Sequence, residues 1–165
     1  MAATKKSPIK KAKVIEVLNK ARSMELYAIV QYMNQHYQLG DQDYGKLAKK
    51  IKEIAIDEMR HAESFAERIK ELGGEPTAQI DGLVKKGQAL REIYAFDSAT
   101  EDDTIAQYNA FIKVCRENDD QISAALFERI IEAEQEHYNY FSNIQDHIKT
   151  LGDHFIARMA DGKAD

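Results

Sequence analysis

The sequence predicts an all-α protein: four long helices in a bundle, one long crossover between the second and third helices, and a short fifth helix at the C terminus. Three observations carry this. The 165 residues include only two prolines and eight glycines, and 44% are hydrophobic, a balance that favours long helices around one substantial core. Four segments of about thirty residues carry apolar side chains at helical spacing. Their separators are two tight polar turns and one longer mixed stretch.

The first helix is expected from about Pro8 to Leu39, with Ser7 as its N-cap and Pro8 as its first residue. Val14, Leu18, Glu25 and Tyr32 recur on one face, and Gly40-Asp41-Gln42-Asp43 forms the turn. The second runs from Tyr44 to about Leu72, stopped by Gly73-Gly74 and guarded by Pro76. From Gly73 to Gly87 the helical period is lost, and a connection of that length in a bundle crosses from one end to the other. The third helix runs from about Gln88 to Arg116, keeping its period across the weak stretch Asp97-Ser98-Ala99-Thr100. Glu117 to Asp120 makes the second turn, and the fourth helix runs from Gln121 to Leu151. After Gly152, Asp153 caps a short helix to Ala160. The chain reads as one domain over 1–165, with 1–7 a flexible tail.

A duplicated constellation lies on this frame. Glu25 is followed after 33 residues by Glu58, and Glu101 after the same 33 by Glu134. Each second glutamate has a histidine three residues on, His61 and His137, so each pair shares a helix face. The two sets are offset by 76 residues throughout, from 25 to 101, 58 to 134 and 61 to 137. The midpoint of each Glu–Glu pair falls inside its own turn, so the partners lie level across an antiparallel hairpin. Two glutamates with two Glu-x-x-His pairs facing inward from four helices is a di-metal carboxylate pattern. Four buried carboxylates need compensating charge, and two divalent ions supply it. Glu58 and Glu134 are assigned as bridging ligands and Glu25 and Glu101 as terminal ones. Oxygen with some imidazole suits iron or manganese, with zinc a non-productive occupant.

The remaining chemistry is sparse. A formal charge of −5 argues against nucleic acid, and no apolar run approaches membrane-spanning length. The lysine-rich start is followed by no apolar stretch, so it is no secretory signal, and a cytoplasmic location is expected. Cys115 reads as a small buried hydrophobe, and His36, His147 and His154 as packing or surface residues. Leu26, Ile29, Val30 and Met33 form a second apolar stripe on the first helix. Met59, adjacent to Glu58, points about 100° away from the ligand face. A helix apolar on two sides buries both, which predicts subunit association through the first two helices.

These residues resemble the bacterioferritins, most of all those of sulfate-reducing bacteria. The likeness is carried by Arg22 to Ala28, Ile56 to Glu63 and Glu134 to His137, and extends from about Ala12 to Met159. The resemblance implies a ferritin-like bundle assembled into a twenty-four-subunit homo-oligomeric shell for iron storage, with a ferroxidase di-iron centre in each subunit. It also implies haem b or a related iron porphyrin shared by two subunits, with Met59 as axial ligand and Leu26, Ile29 and Met33 as its pocket. A ferredoxin-type electron donor follows, as does a redox role for Tyr32. Two positions depart from the family pattern. Glu53, near Asp57, stands where an inner-surface iron site has histidine, and Phe65 stands where a tyrosine follows the first ligand histidine. The alternatives are a di-metal peroxidase or catalase of the rubrerythrin or manganese catalase type, and a DNA-coating relative using the lysine-rich start. A single cysteine excludes the Cys-rich domain usual in rubrerythrins.

Overall fold

The computed structural model describes residues 8–162. It contains α1 (Pro8–Asp41), α2 (Gly45–Glu71), α3 (Leu90–Glu117), α4 (Gln121–Leu151) and α5 (Asp153–Met159), with no strand among the described residues. Ser7 and the proposed tail over 1–7 lie outside the described residues. No described helix is long and apolar enough to cross a membrane.

The first hairpin packs α1 along α2, the second packs α3 along α4, and the two close around a core divided into halves. One apolar half gathers Leu18, Phe65, Ile69, Tyr108, Ile112 and Phe127. The other gathers Tyr32, Leu39, Ile51, Ile54, Tyr94 and Phe141. Glu25, Glu58, Glu101 and Glu134, each almost fully buried, form the polar layer between them.

The turns depend on residues that accept unusual backbone angles. α1 continues through Gly40 and Asp41, two residues beyond its expected end at Leu39, and Asp43 makes the reversal at φ +64°. Asp119 makes the second reversal at φ +56°. Aspartate tolerates this left-handed region better than most residues because its short carboxylate can bond locally. Asp120 then caps α4, its Oδ1 accepting from the Ser123 amide at 3.0 Å. α2 ends as expected: the Gly73 amide donates to Lys70 O and the Gly74 amide to Ile69 O, both at 2.9 Å. Gly74 is also a close approach, since a Cβ there would stand 2.9 Å from Ile15 Cγ2.

The crossover, residues 72–89, has no regular structure, so its backbone polar groups need other partners. Side chains of α1 supply them. Asn19 donates to Glu75 O and accepts from the Thr77 amide, and Arg22 donates to Thr77 O. Ser23 donates to Gln79 O, while Gln31 both accepts from the Lys85 amide and donates to its carbonyl. Gln88 Oε1 accepts from Gln31 and Gln35. Held this way, Gln88 belongs to the crossover, and α3 starts at Leu90 rather than Gln88. The Ala89 amide is satisfied instead by Glu92 Oε2 at 2.9 Å.

The expected cap of the last helix is corrected. Gly152, at φ +59°, is the N-cap, whereas Asp153 is the first helical residue, its carboxylate held by Arg91 at 2.5 Å. Phe155, Ile156 and Met159 fold onto the second apolar half. Beyond them Gly162 exchanges backbone hydrogen bonds with the α1–α2 turn, at 2.7 Å from the Gly45 amide and 3.0 Å to Asp43 O.

Candidate metal centre

Each helix of the bundle contributes one carboxylate to a single buried cluster: Glu25 from α1, Glu58 from α2, Glu101 from α3 and Glu134 from α4. One helical turn after the second and fourth carboxylates, His61 and His137 bring imidazoles to the same layer. The ligand atoms form two overlapping groups, each with all its atoms within 4.8 Å of one another. One is Glu25, Glu58, His61 and Glu134; the other is Glu58, Glu101, Glu134 and His137. Glu58 and Glu134 occur in both, the geometry a pair of bridging carboxylates requires.

The hydrogen bonding shows what this donor set lacks. His61 Nδ1 lies 2.8 Å from Glu58 Oε2 and 3.0 Å from Glu134 Oε1. His137 Nδ1 lies 3.0 Å from Glu58 Oε1 and 3.2 Å from Glu134 Oε2. A single N–H is aimed at one acceptor, and here each points to the Oε2 within its own Glu-x-x-His pair. Glu58 Oε1 and Glu134 Oε1 are left buried with no hydrogen bond. Buried carboxylate oxygens without donors are strongly disfavoured unless a cation meets them. The residues therefore fit two metal ions, and the hard oxygen and imidazole donors fit iron or manganese.

The electrostatics agree. Burial raises Glu25 well above the ordinary carboxylate range, and the charges of Glu134 and Glu58 push it further. Glu101 is raised in the same way, by burial and the same two neighbours. Burial acts against an ionised Glu58 too, but hydrogen bonds and charge from His137 and His61 outweigh it and bring it to about 2. Burial would lower both histidines, yet the bridging carboxylates lift His61 to about 9 and His137 to about 11. Protons on the imidazoles thus balance the bridging carboxylates, a role that metal charge would take over, with release of those protons, were ions bound.

Two phenols complete the layer. Tyr32 donates to Glu101 Oε1, and Tyr108 donates to Glu25 Oε1 at 2.5 Å. Tyr108 is not among the sequence-expected site residues. It stands 76 residues after Tyr32, the offset already seen for the ligands, and that is the signal that points to it. A cavity of about 360 Å³ reaches Glu25, Glu58, Glu101 and Tyr32, and opens between the crossover at Asp81 and Leu83 and α3 at Asp103.

The other singled-out residues lie elsewhere. Met59 is 53% exposed and lines a surface groove with Leu26, Ile29 and Ile56, flanked by Arg22 and Arg60. Met33 is not part of that groove and packs against the second apolar half. Asp57 Oδ2 stands 3.7 Å from His137 Nε2 and bonds Arg60 at 2.7 Å, while Glu53 is exposed, 3.7 Å from Lys50. His36 Nδ1 is 2.8 Å from Ala48 O, His147 stacks on Phe155, and Cys115 is buried.

Comparison with known proteins places this geometry among relatives. Residues 15–151 match the ferritin-like domain. The chain is 64% identical over 151 residues to the bacterioferritin of Desulfovibrio desulfuricans, covering 92% of this chain and 84% of that one. The crystal structure of a Desulfovibrio desulfuricans bacterioferritin, described with its di-iron site in different catalytic states, superposes with a TM-score of 0.93 at 62% identity, over 95% of this chain and 92% of that one. A Rhodobacter capsulatus bacterioferritin, described with a metal-free dinuclear site and haem iron in a crystallographic special position, gives a TM-score of 0.83 at 35% identity, over 87% and 89% of the chains.

Proposed function

The chain belongs to the bacterioferritins, within the ferritin-like family, and from that premise we propose that it oxidises Fe(II) at the four-helix centre and stores the product as ferric iron. The observation that carries this reading is the pair of overlapping four-ligand groups sharing Glu58 and Glu134. Two irons bound there supply the electrons that reduce dioxygen or peroxide. The protein's part is to hold the substrate ions side by side. Glu58 and Glu134 each present an oxygen to both positions, and Glu25 with His61 and Glu101 with His137 complete them. The imidazole Nδ1 atoms give up their protons as ions enter. The cavity between crossover and α3 admits Fe(II) and oxidant, and Asp103 at its mouth, bonded among the described residues only to the neutral Gln107 amide, favours a cation. Apolar packing on either side of the ligand layer excludes bulk water.

Haem at a subunit interface is the second part of the proposal. Met59 offers an exposed thioether, a fitting soft ligand for haem iron, and Leu26 and Ile29 offer apolar cover beside it. The groove is open on one side, so a second copy related by a two-fold axis would close it with its own methionine. A haem iron on a special position, as described for the Rhodobacter relative, suits such sharing. Such dimers assemble into a twenty-four-subunit cytoplasmic shell, and the haem passes electrons from a ferredoxin-type donor inward for iron release.

The ferroxidase reading is tested by stopped-flow oxidation of Fe(II). Replacing Glu134 or His137 with alanine removes a bridging or a terminal ligand and should abolish the rapid phase. Wild-type rates in either variant exclude this centre as the site of oxidation.

A further inference from the structure

The 76-residue offset extends past the metal ligands. Glu25, Tyr32, Glu58, His61 and Phe65 of the first hairpin correspond at that offset to Glu101, Tyr108, Glu134, His137 and Phe141 of the second. The tyrosines do not stay with their own halves. Tyr108 of α3 donates to Glu25 of α1, and Tyr32 of α1 donates to Glu101 of α3. Each ring then packs on the phenylalanine one turn beyond the histidine it serves. Tyr108 lies 5.7 Å from Phe65, centroid to centroid, and Tyr32 lies 5.4 Å from Phe141. All four rings are fully buried, which restricts each hydroxyl to the one carboxylate it meets.

We propose that Tyr108 and Tyr32 are reciprocal positioning residues, each exported from one hairpin to fix the terminal carboxylate of the metal position built by the other. This rests on the di-metal reading above and deepens it. A terminal glutamate has three side-chain torsions to fix, and a single phenol bond on Oε1 fixes the direction in which its carboxylate faces the ion. Tyr108 therefore sets the position made by Glu25 and His61, and Tyr32 the position made by Glu101 and His137. The exchange also couples the hairpins, because neither metal position is complete from one hairpin alone.

The test is metal binding, read without turnover. The metal-free assembled protein is titrated with Co(II), following heat and the visible ligand-field bands. Wild type takes up two ions per subunit. Tyr108→Phe keeps the ring and its packing, and should weaken one of the two ions about 10- to 100-fold, the usual cost of losing a group that orients a ligand. Assignment comes from a His61→Ala background, which disables the first position. There Tyr108→Phe should leave the remaining ion and its spectrum unchanged, while Tyr32→Phe should weaken it. A general structural role predicts that each phenol affects both ions alike, so equal weakening, or no weakening, overturns the proposal. Fewer than two ions in wild type removes the di-metal reading and this inference together; two ions without selectivity removes the inference alone.

Discussion

At the scale of single residues, the centre is a problem of buried charge solved by pairing, and Asp97 is a fully buried carboxylate outside that solution. It sits one turn before Glu101 and accepts from Gln35 Nε2 at 2.8 Å, but its Oδ2 has no hydrogen bond. Burial raises its pKa well above the ordinary range, only partly offset by the Gln35 bond. A carboxyl whose pKa rises on folding stabilises the fold while protonated. That contribution is complete below the unfolded value near 4 and is lost as pH climbs through the folded value. Asp97→Asn should therefore match wild type in acid and exceed it at pH 8, by about 1–3 kcal/mol for one unsatisfied buried acceptor. Thermal melts of the metal-free protein across that range check it, and a difference independent of pH rejects it. The same residue marks where sequence reading stopped. Glutamates and histidines at helical spacing announce themselves, because few core faces carry them. Asp97 instead looked like a weak point in a helix, and Tyr108 like one more apolar-face aromatic, since a tyrosine at core spacing reads alike whether its hydroxyl meets a ligand or nothing.

At the scale of elements, the turns and the crossover are held by side chains that reach across from neighbouring helices. Arg68 of α2 grips Asp120, the cap of α4, at 2.9 and 3.0 Å, and also donates to Ser123 Oγ at 2.9 Å. Both charged groups are largely buried. Arg68→Ala withdraws the guanidinium from a carboxylate that stays inside, and breaking such a pair costs about 3–5 kcal/mol. Urea unfolding should show a midpoint lowered accordingly, and a loss within about 0.5 kcal/mol would place the pair among surface contacts instead. The helices themselves were legible to within two residues, since each carries many turns of consistent periodicity and ends at glycine or aspartate. What was not legible was how the crossover is fastened. Asn19, Arg22, Ser23 and Gln31 are spread along α1 with ordinary polar spacing, and only the folded chain shows that all four bond one irregular strand of backbone. For the same reason α3 could not be started correctly at Leu90, nor α5 capped at Gly152: each depends on a partner distant in sequence.

At the scale of the whole molecule, one face of the α1–α2 hairpin is unfinished. Val30 and Met59 are both about half exposed, and Leu26 and Ile29 line the groove beside the methionine. The opposite faces of the same helices are fully committed to the ligand layer and the core, so this second stripe gains nothing within one subunit. A second copy and an apolar planar group between the copies would cover it, and Met59 is the residue on which the two demands separate. Met59→Leu keeps nearly the same volume, so packing between copies should survive at a cost below about 1.5 kcal/mol. The thioether is gone, however, and leucine offers no lone pair to iron. The variant should elute at the size of the wild-type assembly and oxidise Fe(II) at the wild-type rate, because Met59 points away from Glu58 and His61. It should carry no haem by its Soret band, and should release stored iron more slowly under an external reductant. Retention of the wild-type haem-to-subunit ratio would falsify ligation by Met59. A variant that lost both haem and assembly would instead show that the methionine is chiefly a packing residue between subunits.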